Sequence, residues 1–147
     1  MLCRWLFVLA SLSACASSNQ ASGPVPVFAD TVDVGAASLN VDITHDAKEP
    51  RKLEIKLKMR VNGMEETEKL VADVHISGFN VDEGSTHWDG FILPREPQTF
   101  TVLLSVPEGV DTAKATVKLQ RSRDSMLLIH EELNFAISES GTITPIK

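Results

Sequence analysis

The sequence predicts an all-β fold, a single immunoglobulin-like antiparallel β-sandwich of about seven strands. Three observations predict it. Apolar and polar residues alternate with period two along much of the chain after Val27, as in strands with one buried face. Clusters of turn-forming residues separate these stretches at intervals of roughly 8–12 residues. No segment shows a sustained apolar helical stripe. A small β-barrel is the alternative architecture.

The clearest strand is Lys52 to Val61, where five apolar residues alternate without exception with five charged ones. A shorter strand, Leu39 to Ile43, precedes it. The remaining predicted strands are, in chain order, Leu70 to Ile76, a weaker one at Trp88 to Leu93, Phe100 to Val106, Ala113 to Leu119 and Leu127 to Ile137. Only Glu131 breaks the alternation of the last strand.

The segment between the second and third predicted strands contains a local conflict. Asn62-Gly63 is typical of a two-residue hairpin turn. A strict hairpin would place Glu66 and Glu68 on the apolar side, because such a turn determines the register of both strands. We therefore expect a bulge or a longer loop through Glu65 to Lys69.

Residues Met1 to Ala14 differ from the rest of the chain. They carry one basic residue, Arg4, and no acidic one, and a short apolar run follows that arginine. The run is too short to cross a bilayer as a helix and is typical of a signal peptide. The first 14 residues are therefore expected to be a targeting segment.

The residues that follow this run are Leu12-Ser13-Ala14-Cys15. They resemble the lipobox of bacterial lipoproteins, in which an aliphatic residue and two small residues precede a cysteine. The resemblance implies that the lipoprotein signal peptidase recognises Leu12, Ser13 and Ala14 and cuts before Cys15. It also implies a covalent diacylglycerol and an N-acyl lipid on Cys15. The alternative is an ordinary secretory signal, cut before Ser17.

Two or three acyl chains would hold the protein durably on a membrane, since each buried methylene contributes roughly 0.8 kcal/mol. Ala16 after the cysteine, in place of Asp, points to the outer membrane under the enteric sorting pattern. Residues 15–26 are small and polar and are expected to form a flexible linker. Residues 27–147 are then the β-sandwich domain, lipid-anchored in the cell envelope and facing the periplasm.

Charge and cysteine content exclude several classes of protein. Without Arg4 the chain has 13 Lys and Arg against 20 Asp and Glu, a net charge of −7, which argues against nucleic acid as a partner. Both cysteines, Cys3 and Cys15, lie at or before the predicted cleavage point. The predicted domain therefore has no disulfide and depends on its apolar core.

The sequence contains no motif for catalysis or for a cofactor. It has no Gly-x-Ser-x-Gly, no Gly-rich phosphate loop and no His-Glu-x-x-His. We therefore expect no enzymatic activity, no catalytic residues and no cofactor apart from the covalent lipid. Two of the four histidines, His75 and His130, fall on the polar phase of their strands and are expected to face solvent.

The densest group of potential ligands lies in a predicted loop at residues 82–89. It comprises Asp82, Glu83, His87, Trp88 and Asp89, and it is the first choice for a recognition element. Its spacing matches no calcium or zinc template, so a metal site is not assigned. Glycan binding is not expected, because Trp88 is more often a core residue than a sugar platform. Phe91, Phe100 and Phe135 are predicted core residues.

These observations favour a non-enzymatic envelope lipoprotein that binds a protein partner. Its predicted role is that of an accessory or assembly subunit of a cell-envelope complex. The charged face of the strand from Lys52 to Arg60 is a further docking surface, although such faces are more often merely solvated. The alternative function is a periplasmic metal- or ligand-binding module that uses the 82–89 loop.

Overall fold

The computed structural model describes residues 26–34, 37–62 and 68–147, which form ten strands. In chain order they are β1 Phe28–Val34, β2 Ala37–Glu49, β3 Lys52–Asn62, β4 Glu68–Ser77, β5 Asn80–Gly84, β6 His87–Ile92, β7 Gln98–Ser105, β8 Thr112–Arg121, β9 Met126–Ile137 and β10 Ile143–Ile146. The signal segment and most of the linker lie outside the described residues. Within those residues there is no helix of the length and hydropathy needed to cross a membrane.

The strands form two antiparallel sheets of five strands each, so the predicted β-sandwich is confirmed. The first sheet, sheet A, has the order β1-β2-β3-β7-β5, and the second, sheet B, has the order β10-β9-β8-β4-β6. The orders β2-β3-β7-β5 and β4-β8-β9 correspond to the ABED and CFG sheets of an immunoglobulin-like sandwich.

The predicted number of strands was too low by three. The additional strands, β1, β5 and β10, all lie at sheet edges. They lack the period-two apolar pattern because an edge strand buries less of its surface. The five residues of β5 are all exposed, and β10 is four residues long and contains Pro145.

The core forms where the apolar phases of the two sheets face each other. In β3 the alternation seen in the sequence becomes an alternation of buried and wetter side chains over the whole strand. Its five apolar residues are at most 5% exposed. Phe100 and Phe135 are buried, as predicted. Among the described residues, no buried side-chain nitrogen or oxygen lacks a hydrogen-bond partner.

Strand β2 extends six residues beyond its predicted end at Ile43. Because the alternation of the two faces continues through these residues, His45 lies on the core-facing side of β2, opposite Ile55 of β3. The imidazole meets the ring of Phe135 from β9 edge to face, with the centroids 5.2 Å apart. Burial lowers the pKa of His45, although the neighbouring Asp46 carboxylate acts in the opposite sense.

Strands β3 and β4 lie in different sheets. A strict hairpin at Asn62-Gly63 is therefore not formed, as the misplaced glutamates in the sequence indicated. The bulge or loop expected at Glu65 to Lys69 falls mainly on residues 63–67, which lie outside the described residues.

The chain crosses between the sheets twice within a few residues. Gly78 and Phe79 lead from β4 in sheet B to β5 at an edge of sheet A. Ser85 and Thr86 then lead back to β6 at an edge of sheet B. Because two residues span only about 7–10 Å, β5 and β6 must lie on the same side of the sandwich. The other two edges, β1 and β10, lie on the opposite side.

Candidate functional site

The predicted lipidation site cannot be placed in the fold. Cys15 and the predicted recognition residues Leu12, Ser13 and Ala14 lie outside the described residues. Lipid attachment and cleavage therefore remain predictions from the sequence.

Residues 82–89, the predicted recognition element, do not form one loop. Asp82 and Glu83 belong to β5 in sheet A, whereas His87, Trp88 and Asp89 belong to β6 in sheet B. Only Ser85 and Thr86 form the connection between the two strands. The Asp-Glu-Gly sequence that suggested a loop belongs to an irregular edge strand, in which the pairing with β7 shifts between Val81 and Glu83.

The polar side chains of this segment are paired with separate partners. Asp82 accepts a hydrogen bond from the Ser105 hydroxyl, and its other oxygen lies 3.6 Å from Lys52 Nζ. Two further pairs lie on the outer face of sheet B. His87 Nδ1 is 2.7 Å from Asp73 Oδ1, and Lys69 Nζ is 2.7 Å from Asp89 Oδ2.

These pairs determine what the segment can do chemically. The hydrogen bond from Lys69 lowers the pKa of the Asp89 carboxyl. Within the described part of the chain, no group of three His, Cys, Asp or Glu side chains is placed to hold a metal ion. The geometry therefore gives no support to a metal centre at residues 82–89.

The His87 ring contacts the carboxylate of Asp73, but among the described side-chain hydrogen bonds none joins this ring to a hydroxyl group. The Ser85 hydroxyl oxygen accepts a hydrogen bond from the backbone N–H of His87, at 3.1 Å. The serine thus caps the start of β6, and the described side-chain hydrogen bonds include no Ser–His–acid relay. His75 and His130 are exposed, as predicted.

Trp88 is half-buried and packs against the hydrophobic core, in agreement with its predicted role. Its indole lies directly over Gly90: a Cβ added to Gly90 would lie 2.6 Å from Trp88 Cζ2. Glycine at this position therefore allows the indole to fold onto its own strand. Ile92, next on the same phase, is completely buried.

Phe91 was predicted to lie in the core and is instead 58% exposed. The strand alternates regularly, and Trp88, Gly90 and Ile92 occupy the inward phase. Phe91 therefore points outward with His87 and Asp89. We take this exposed aromatic side chain, on a strand at the edge of sheet B, as the starting point for a candidate site.

The backbone of β6 turns alternate groups toward β4 and away from it. The Val74 N–H donates to the Thr86 carbonyl at 2.8 Å, so Thr86 and every second residue after it turn their backbone groups toward β4. The intervening residues, His87, Asp89 and Phe91, turn theirs away. Among the described strands, none pairs with β6 on that side, because β6 is the last strand in the order of sheet B.

The other three edges carry features that discourage strand pairing. β5 is bulged and acidic, and β10 contains Pro145, which has no N–H. In β1, Asp30 stands opposite Val41 and is exposed, so that it places a charge on the edge strand that opposes the addition of another strand.

β6 lacks these protections. Its six residues pair with β4 in continuous register, without a bulge or a proline. The carboxylate of Asp89 forms an ion pair with Lys69 of the same chain. We call the free side of β6 the open edge, defined by the outward backbone groups of His87, Asp89 and Phe91.

A second surface feature lies on the outer face of sheet A. It is a shallow depression of about 440 Å³ across β1, β2 and β3, lined by Ala29, Asp30, Thr31, Asn40, Asp42, Lys58 and Arg60. Acidic and basic groups are mixed in this lining, which includes Lys58 and Arg60 from the charged face of β3.

No protein-family model matches this chain, and no curated protein matches it. Among solved structures, it is similar to the crystal structure of a FixG-related protein from Vibrio parahaemolyticus, with a TM-score of 0.49 and 14% sequence identity. The similarity covers 70% of this chain and 97% of the other.

Proposed function

We propose that this chain is a non-enzymatic, lipid-anchored envelope protein that binds a protein partner through the open edge of β6. It would serve as an accessory or assembly subunit of a cell-envelope complex. The observation that carries the proposal is the open edge itself, a regular strand with no neighbour on one side among the described strands and with an exposed Phe91.

Strand addition is the mode of binding that this geometry favours. A partner segment in extended conformation would take up the outward N–H and C=O groups of Asp89 and Phe91. Main-chain hydrogen bonds would supply affinity for any extended segment, and contact with the Phe91 ring would supply selectivity.

The predicted lipid on Cys15 supports the same function. An edge of six residues offers a small interface, and small interfaces are generally weak. Confinement to a membrane raises the effective concentration of the edge for a partner in the same envelope. A modest affinity would then be sufficient.

Site-specific photo-crosslinking in intact cells tests the proposal. A benzoylphenylalanine replaces Phe91 in the full chain and, as a control, Val81, which is 43% exposed on the bulged edge of β5. We expect a discrete protein adduct from position 91 and none from position 81. Equal labelling at both positions, or none at position 91, would contradict the proposal.

A matched pair of variants tests whether the backbone of β6 is the element that binds. Asp89→Pro removes an outward N–H without removing a bond to β4, while Asp89→Ala keeps that N–H. Both lose the ion pair with Lys69. The adduct from position 91 should therefore disappear in Asp89→Pro and persist in Asp89→Ala.

A further inference from the structure

We infer that the occupant of the open edge is a second copy of this chain, paired antiparallel, β6 to β6, about a twofold axis at Gly90. The inference rests on the proposed function, which assigns protein binding to this edge. It goes further by naming the partner and the register.

The outward backbone groups of β6 determine which strand can pair with it. Of the three outward residues, His87 has its N–H already capped by the Ser85 hydroxyl. The N–H and C=O of Asp89 and Phe91, two residues apart, point away from β4, and no other described strand lies on that side. An antiparallel partner must offer the same arrangement, because hydrogen-bonded residue pairs exchange both bonds.

The strand meets this requirement when it is paired with itself. With Gly90 opposite Gly90 of the second copy, Asp89 lies opposite Phe91 of that copy, and Phe91 lies opposite its Asp89. Each of these two pairs exchanges two hydrogen bonds. All the free donors and acceptors of Asp89 and Phe91 are then used in both copies.

Neighbouring registers are less suitable. A shift that places Asp89 opposite Asp89 sets two carboxylates of like charge across from each other, which destabilises a strand pair. The opposite shift places Asp89 against Leu93, which lies beyond the end of the strand. A slip by one residue would exchange the two faces of the added strand.

The side chains also favour the Gly90 register. On the outer face, the two Phe91 rings become diagonal neighbours at about 7–8 Å, a separation that aromatic side chains can bridge. On the inner face, the axis passes between two glycines, so no side chains collide there. Trp88, half-buried in one copy, would lie opposite Ile92 of the second copy.

The interface would be small, so we expect the dimer at a membrane surface rather than in dilute solution. The test therefore uses two full-length copies with different epitope tags, expressed together in intact cells. One copy carries benzoylphenylalanine at position 91. The expected product has the mass of two chains and carries both tags.

The same variants check the register. Asp89→Pro in the copy without benzoylphenylalanine should reduce the two-tag product at least tenfold. Asp89→Ala in the same copy should leave the amount of product within twofold. Thermal unfolding of each variant checks that the domain folds. If Asp89→Pro does not fold, Phe91→Pro against Phe91→Ala, with the crosslinker at Leu93, makes the same comparison.

The outcomes separate this inference from the proposed function. A two-tag product that is lost in Asp89→Pro supports the second copy as the occupant. A position-specific adduct with a different protein overturns the inference and leaves the proposed function standing. Failure to form any adduct from position 91 overturns both.

Discussion

Phe91 shows how one residue of phase changes the interpretation of a strand. The sequence Trp88 to Leu93 is apolar at four of six positions, so alternation alone does not decide which phase is buried. In the structure, Trp88 and Ile92 lie on the side of the strand that faces the core, because Gly90 leaves space for the indole. The sequence pattern predicts the strand but not which of its two faces is buried.

The contact between Trp88 and Gly90 leads to a testable prediction. Gly90→Ala should destabilise the domain by about 1–3 kcal/mol, because a Cβ there would overlap the indole and force it to move. In a Trp88→Leu background the same substitution should cost much less. Chemical denaturation of the four proteins in the cycle measures this coupling, and equal costs in both backgrounds would refute the contact.

His45 predicts a dependence of stability on pH. Its pKa is lowered by burial, so the unfolded chain binds a proton at a higher pH than the folded one. The free energy of unfolding should therefore fall as the pH drops from about 7 through the range below the ordinary histidine value. Denaturation at a series of pH values, compared with His45→Gln, measures the effect; an unchanged slope in the variant would exclude His45.

At the scale of elements, the turn between β2 and β3 joins three parts of the fold. The Arg51 N–H donates to the Gly141 carbonyl at 2.7 Å, and the Arg51 carbonyl accepts from the Val106 N–H at 2.8 Å. Its guanidinium donates to the Pro107 carbonyl at 3.0 Å. The turn requires a φ of 62° at Arg51, a value that glycine adopts more easily.

This conformation distinguishes two substitutions at Arg51. Both Arg51→Ala and Arg51→Gly lose the hydrogen bond to Pro107, but only glycine relieves the backbone strain. We expect Arg51→Gly to be more stable than Arg51→Ala by about 1 kcal/mol, as determined by thermal unfolding. The reverse order would show that the positive φ imposes no strain at this turn.

Strands could be predicted from the sequence where they have a neighbouring strand on each side within their sheet. Alternation in β3, β7 and β8 reflects one face packed on the opposite sheet, so the sequence pattern and burial agree. Edge strands lack this constraint: β5 is exposed throughout and resembles a turn in composition. The candidate site lies at such an edge, where His87 and Asp89 were predicted to lie in a loop and Phe91 was predicted to lie in the core.

At the scale of the whole molecule, stability depends on the packed core, as the positions of the cysteines indicated. The chain has two cysteines, Cys3 and Cys15, and residues 16–147 contain none. The two sheets are joined by apolar contacts and by short crossings such as Ser85-Thr86.

A reductant should therefore leave the midpoint of thermal unfolding of the domain unchanged. Differential scanning calorimetry of the full chain with and without dithiothreitol measures it, and a fall in the midpoint would reveal a stabilising disulfide. The positions of the cysteines in the sequence are sufficient for this prediction, whereas the strand order could not be predicted from the sequence. Alternation does not show which strands become neighbours, so the crossing at Ser85-Thr86 appeared only in the structure.

The opposite placement of β1 and β6 has a consequence for geometry at the bilayer. If Cys15 carries lipid, the linker enters the domain at β1, across the sandwich from the open edge. Two copies joined at β6 would form a continuous sheet of ten strands, about 43 Å across at 4.8 Å per strand spacing. Both linkers would then emerge at its far ends, so that the pair would be attached to the membrane at two widely separated points.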